Sequence, residues 1–284
     1  MTVSSSAVPS SAITSPASPP AGPAAAGPAP AVVSRLRAAG CVFAEDEARL
    51  LTAAAATPAE LDAMVSQRST GLPLEHVVGW AEFCGLRVAV GPGVFVPRFR
   101  TEFLARQAAA LGRPGAVVLD MCCGSGALGA AVAAILGQVE LHAADIDPGE
   151  LAFARRNVAA AGGQVHEGDL FAPLPGGLRG RVGILIANVP YVPTREIPLL
   201  PAEARVHEPR VALDGGQDGL DVLRRVAAAA PRWLAPGGHL LSEASEWQAP
   251  MVAQTFALSG LVPRVARSEE RDATAVIGTR PLAG

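Results

Sequence analysis

The sequence predicts an α/β fold: a doubly wound, mostly parallel sheet with a C-terminal antiparallel hairpin, preceded by a small helical domain. Three observations carry this reading. Short apolar runs alternate with helical segments from about residue 116 to residue 244, two strand-like runs lie close together near the C-terminus, and glycines cluster where the first run turns into a helix.

The elements follow in chain order. Residues 1–31 are nearly all Ala, Pro, Ser and Gly, without the basic start and apolar block of a signal peptide, and are expected to form a disordered tail. Residues 32–78 carry helix formers with apolar positions at helical spacing, which predicts two or three short helices and a small helical domain. Residues 79–103 alternate apolar and polar positions between glycines and read as a hairpin or extended linker. The main domain takes up 104–284. Within it strands are expected at 116–121, 139–146, near Val165, at 182–188 and at 239–244, with helices at 129–136, 148–161 and 220–233. Strands at 261–267 and 274–279 are joined by only a short polar link, so they must be antiparallel.

Composition excludes several classes. Half of the 284 residues are hydrophobic, enough for one large core or a core with a small attached domain. The net charge is −3 and the basic residues are scattered, so no broad electrostatic footprint for duplex nucleic acid is visible. No run approaches the ~18 apolar residues of a membrane span. Cys41, Cys84, Cys122 and Cys123 have neither zinc-site spacing nor the density of a disulfide framework, which fits a reducing, cytoplasmic setting. No histidine shares a short motif with other ligand-type residues, and no metal is assigned.

The stretch VLDMCCGSGALG, residues 118–129, puts an acid at the end of the first core strand and glycines at the turn. Glycine admits positive φ and lets backbone N–H groups approach a ligand. The pattern satisfies G-x-G-x-x-G, so a nicotinamide dinucleotide must be weighed. Asp120, however, precedes the glycines, where a carboxylate repels a pyrophosphate and suits a cationic amino group, as in S-adenosylmethionine. Asp145, ending the next strand, is placed to accept hydrogen bonds from ribose hydroxyls. Asp169 ends the third strand and reaches for an adenine amino group, with Leu170 against the ring. Cys122 and Cys123 read as packing residues.

The fourth strand runs into Asn188-Val189-Pro190-Tyr191, which holds the only tyrosine of the chain. In a doubly wound sheet ligands bind at the carboxyl ends of strands where strand order reverses. The Asn188 side-chain oxygen and the Val189 carbonyl can both accept from a planar NH2 group, leaving its lone pair aimed for in-line methyl transfer. Pro190 fixes the turn and Tyr191 offers a flat stacking face.

Together with LPLEHVVGWAEFCGLRVAV, VPRFRTE, ADIDP, GDLF, HEPRVALDGGQDGLDVLRRV and APGGHLLSEAS, these motifs resemble the protein-(glutamine-N5) methyltransferases of the HemK/PrmC family over roughly residues 67 to 280. The resemblance implies a class I methyltransferase fold, S-adenosyl-L-methionine as cofactor, and the glutamine of the Gly-Gly-Gln loop of peptide-chain release factors as acceptor. It also implies that Cys122, Cys123, Gly124, Ser125, Gly126, Asp145, Leu170 and Asn188 contact the cofactor and that Asn188 to Tyr191 hold the glutamine. Four positions depart from the family: Val189 and Phe99 each replace a proline, Arg100 replaces an acid, and Cys122 stands where glycine is common. Three other readings stay open on residues alone: methylation of an exocyclic amine in RNA or DNA bases, a nicotinamide-dependent oxidoreductase, and a non-catalytic binding protein. The methylated substrate and the oligomeric state are not legible.

Overall fold

The computed structural model describes residues 29–282. The expected N-terminal tail lies outside the described residues up to position 28, and the first helix, α1 (Pro30–Ala38), begins inside the segment assigned to it. Helices α2 (Ala44–Ala54), α3 (Pro58–Ser69) and the single-turn α4 (Leu74–Val78) complete a small bundle. Local chemistry sets its boundaries: the Thr57 side chain accepts from Glu60 N at 3.1 Å, and Pro58 opens α3 where no N–H is needed. Leu36, Ala48, Leu51 and Val65 close its own core.

Strands β1 (Trp80–Phe83) and β2 (Leu86–Ala89) form the anticipated hairpin. The chain from Val90 to Arg98 is irregular, and α5 (Glu102–Leu111) follows, a helix absent from the sequence reading. Its buried face is largely alanine, Ala105, Ala108 and Ala109, which gives little periodic contrast to read.

The main domain then alternates β3 (Val117–Met121), α6 (Ala127–Leu136), β4 (Glu140–Asp145), α7 (Pro148–Val158), β5 (Gln164–Glu167) and β6 (Val182–Ala187). Two short helices, α8 (Ala202–His207) and α9 (Arg210–Leu213), precede α10 (Asp221–Trp233), β7 (Leu234–Ala244), α11 (Ala249–Leu258), β8 (Val262–Ser268) and β9 (Ala273–Thr279). The seven strands are ordered β5-β4-β3-β6-β7-β9-β8, parallel except that β9 runs antiparallel to both β7 and β8. The doubly wound sheet with its closing hairpin is therefore as the sequence indicated. Strand β7 begins at Leu234 rather than His239, extended by an irregular pairing in which the register with β6 shifts.

Alternation along the strands feeds two cores. Val117, Leu119 and Met121 face α10 and α11, while Val118, Ile184 and Ile186 face α5, α6 and α7. Because β3 and β6 are neighbours, strand order reverses between them, and the loops after β3 and β6 meet at one end of the sheet. Helix α11, also absent from the sequence reading, seats Phe256 in the core against Gly278 of β9. Phe256→Ala is expected to lower the unfolding free energy by about 3–5 kcal/mol, measured by urea denaturation, because the fully buried ring leaves a cavity.

Candidate active site

The loops after β3, β4, β5 and β6 surround a cavity of about 500 Å³. Cys122, Cys123, Gly124, Ser125, Asp145, Asp169, Leu170, Asn188, Val189, Pro190 and Tyr191 line it. Nearly all the residues singled out in sequence thus converge on one space.

Asp120 and Gly126 do not line it. Asp120 is fully buried behind the loop, where Oδ2 accepts from Gly129 N at 2.7 Å and anchors the first turn of α6. Burial pushes its carboxyl up to about 8, and its Oδ1 is buried with no partner among the described residues, so the carboxyl that the sequence sets against a cationic amino group lies behind the loop rather than on the cavity wall. Gly126 instead takes φ +76° at the start of α6, where a Cβ would press within 3.2 Å of Ala154 Cα in α7.

The loop is held from beneath. Asp145 accepts from Gly124 N at 2.8 Å through Oδ2 and from Asp147 N at 3.0 Å through Oδ1. Asn157, a residue sequence reasoning missed, donates to Ser125 O at 2.8 Å and pairs with both Ala89 N and Ala89 O. It joins the glycine loop to the β1–β2 hairpin, and nothing in its local sequence marks it. Cys122 adopts φ +55°, and burial pushes both loop thiols upward, which leaves them as packing groups.

Asp169 lies two residues beyond the end of β5 rather than at its end, and its Oδ2 accepts from Arg225 Nη2 at 2.5 Å. Leu170 sits beside it with φ +49°. Arg225, from α10, reaches the cavity and was not anticipated.

The segment Asn188–Tyr191 is clamped by backbone contact. Val192 N donates to Leu213 O at 3.0 Å and Gly215 N donates to Val192 O at 2.9 Å. A Cβ on Gly215 would stand 2.7 Å from Pro190 O, and one on Gly219 would overlap the Tyr191 carbonyl. The Gly-Gly-Gln-Asp-Gly run at 215–219 therefore exists to let two chain segments touch. Val189 packs its side chain into the core with 3% exposure, which accounts structurally for a branched apolar residue there.

Asn188 Oδ1 is buried and has no hydrogen-bond partner among the described residues. The Tyr191 hydroxyl accepts from Arg100 Nη2 at 2.5 Å and donates to Glu243 Oε1 at 3.2 Å, while Arg100 Nε reaches the same Glu243 oxygen at 3.0 Å. The charge-reversed position is thereby neutralised within the fold. Burial and the adjacent Glu243 push the phenol up to about 12, so Tyr191 stays protonated and is not a base.

A strand order of this kind, a glycine loop after the first core strand, an acid ending the second and Asn-x-Pro-Tyr after the fourth define a class I methyltransferase. The family model described as methyltransferase small domain matches residues 86–216. The chain is 37% identical over 228 residues to the release factor glutamine methyltransferase of Geobacter sulfurreducens, spanning 78% of this chain and 79% of that one. Identity is 38% to the protein of that name from Mycolicibacterium smegmatis, covering 71% and 72% of the two chains, and 36% to that of Streptomyces coelicolor, covering 68% and 70%. This chain belongs to the release factor glutamine methyltransferase family. Among solved structures, a methyltransferase from Pyrococcus furiosus superposes with a TM-score of 0.54 at 16% identity, covering 70% of this chain and 90% of that one. The T. thermophilus 16S rRNA N2 G1207 methyltransferase, solved with AdoMet and guanosine, gives 0.50 at 18% identity over 71% of this chain and 49% of that one. Both likenesses concern the fold.

Two measurements follow from this geometry. Asn157→Ala is expected to cost about 2 kcal/mol of stability in urea unfolding, since it strands backbone groups of Ala89 and Ser125. The Asp120 carboxyl rises from an ordinary value of 3.8 to about 8 on folding, so the folded state holds a proton the unfolded chain has lost. Its contribution to stability is present below about pH 4 and is lost as pH rises toward 8. Asp120→Asn, whose side-chain oxygen still accepts from Gly129, is expected to reduce that downward slope in unfolding free energy.

Proposed function

We infer that this protein transfers a methyl group from S-adenosyl-L-methionine to the side-chain amide nitrogen of a glutamine in a peptide-chain release factor. One observation carries the reading. On the wall of a cavity shared with the glycine loop, Asn188 Oδ1 is buried without a partner, and a buried acceptor of this kind calls for a donor. A carboxamide NH2 supplies two N–H groups, one for Asn188 Oδ1 and one for the Val189 carbonyl. The names of the curated relatives support both the reaction and the release-factor acceptor.

The cofactor fits the residues present. Gly124, Ser125 and Cys123 give a close-approach loop, Asp145 stands at the end of β4, and Asp169 with Leu170 forms the far wall. S-adenosylmethionine, when bound, supplies an electrophilic sulfonium methyl group. Asn188 and Val189 orient the amide so that its nitrogen lone pair, weakened by delocalisation, points along the displacement line. The protein needs no strong base before attack, because the nitrogen becomes acidic only once it has gained the methyl group; its proton then leaves to solvent. Pro190 holds the turn, and the Tyr191 ring, fixed at its hydroxyl by Arg100 and Glu243, supplies a rigid wall against which the planar amide lies.

No helix among the described residues is long and apolar enough to cross a membrane. A small helical domain is proposed for 32–78, with α1 starting two residues earlier at Pro30, and the methyltransferase domain is proposed to occupy 104–284.

The test is methylation of a purified release factor, read by mass spectrometry on the Gly-Gly-Gln peptide. One added methyl group on the glutamine nitrogen is expected, and none on a ribosomal RNA substrate. Asn188→Ala is expected to lower kcat/KM by roughly 100-fold, about 2.7 kcal/mol of transition-state stabilisation, while the chain keeps its unfolding midpoint. Methylation at undiminished rate by Asn188→Ala would sink the assigned role.

A further inference from the structure

The cavity wall carries a carboxyl group that neither the motifs nor the family relationship assigns. Glu150, in the first turn of α7, lines the cavity but is only 2% exposed. Its Oε1 accepts from Phe95 N at 2.7 Å, and its Oε2 is buried with no partner among the described residues. Gly124 lies between this carboxyl and Asp145. Its N–H donates to Asp145 Oδ2 at 2.8 Å, and a Cβ on it would meet Glu150 Oε2 at 3.4 Å. Two carboxyl groups therefore flank one glycine of the cofactor loop.

Their hydrogen-bonding states differ. Each oxygen of Asp145 already accepts one backbone N–H, from Gly124 or Asp147, so each retains one lone pair for a ligand. Glu150 has one oxygen wholly uncommitted. Burial, reinforced by Asp145, Asp147 and Glu208, pushes its carboxyl up to about 8, so near neutral pH it is a carboxylic acid, able to donate as well as accept. A buried carboxyl with an unmet oxygen destabilises the fold unless a ligand satisfies it.

We propose that Glu150 and Asp145 form a two-carboxyl clamp for a vicinal diol, the two ribose hydroxyls of the cofactor, with one carboxyl at each hydroxyl. A diol carries two O–H donors and free lone pairs, which complements the free lone pairs of the Asp145 oxygens and a Glu150 carboxyl that both donates and accepts. This assignment rests on the S-adenosyl cofactor reading above. The competing role, a tether that merely holds the Phe95 backbone to α7, makes different predictions.

The experiment is isothermal titration calorimetry of the full chain with S-adenosylhomocysteine and with its 2′,3′-dideoxy counterpart. Glu150→Ala is expected to weaken S-adenosylhomocysteine about tenfold, the loss of one hydrogen-bonded group at a buried site, and to change the dideoxy ligand less than about twofold. Glu150→Gln keeps an acceptor for Phe95 N and a donor for the diol, and is expected to stay near wild-type affinity at pH 7. Equal weakening of both ligands by Glu150→Ala overturns the clamp in favour of the tether, and no weakening of either overturns it as well. Should Glu150→Ala fail to fold, difference infrared spectroscopy on the wild-type protein decides. The protonated-carboxyl band that Glu150→Gln lacks is expected to shift on adding S-adenosylhomocysteine and to stay put with the dideoxy ligand; an unmoved band overturns the proposal. Wild-type protein that binds no S-adenosylhomocysteine at all would instead remove the cofactor reading itself.

Discussion

The site depends on one close approach of backbone to backbone, between the turn at Gly215–Gly219 and the segment Pro190–Tyr191 that leaves β6. Side chains at Gly215 or Gly219 would fill the space that the Pro190 and Tyr191 carbonyls occupy. The contact is closed by hydrogen bonds in both directions, Val192 N to Leu213 O and Gly215 N to Val192 O, and by Gln248 Nε2, which donates to Tyr191 O at 3.0 Å. Beneath it, the Ser242 hydroxyl of β7 donates to Ala187 O at 2.7 Å. The strand end that carries Asn188 is therefore immobilised by groups from three later elements. Preorganisation of this kind suits a reaction in which the acceptor is a poor nucleophile and positioning supplies most of the catalysis.

Polar atoms left unsatisfied are concentrated at the same place. Thr101 Oγ1, Glu150 Oε2 and Asn188 Oδ1 belong to cavity-lining residues, and Glu208 and Glu243 keep a free oxygen while pairing with the cavity arginines Arg98 and Arg100. A folded protein satisfies nearly all of its buried polar groups, so such a cluster marks where stability has been yielded to binding. The Glu208 carboxylate also accepts from Val96 N at 3.3 Å, which ties the segment before α5 to the one before α9 across the cavity mouth.

The helical residues meet the main domain through two polar contacts, His76 Nε2 with Val94 O at 2.8 Å and the Arg68 guanidinium with Glu203. Arg68, largely buried, pairs with Glu47 at 2.6 Å inside the bundle and with Glu203 of α8 at 2.6 Å. Glu203 lines the cavity. The planar fork of arginine is what lets one side chain serve two carboxylates from different units, a geometry that lysine would not reproduce.

By itself the sequence determined the alternation of strands and helices, the positions of the glycine loop, Asp145 and the Asn-Val-Pro-Tyr segment, and the antiparallel close, because periodicity, glycine and short connections are local properties of a chain. It left α5 unread, since an alanine-rich face lacks contrast, and α11, whose buried face is the short set Ala249, Val252 and Phe256; nor does the end of a strand reveal which side of the loop the Asp120 side chain takes. Tertiary structure alone decided that Asp120 turns to the Gly129 amide, that Asn157 braces the loop, that Arg100 offsets its reversed charge against Glu243 and Tyr191, and that Glu150 shares Gly124 with Asp145. Each of these joins residues distant in the chain, and only packing fixes which distant groups meet and which buried oxygen is left without a partner.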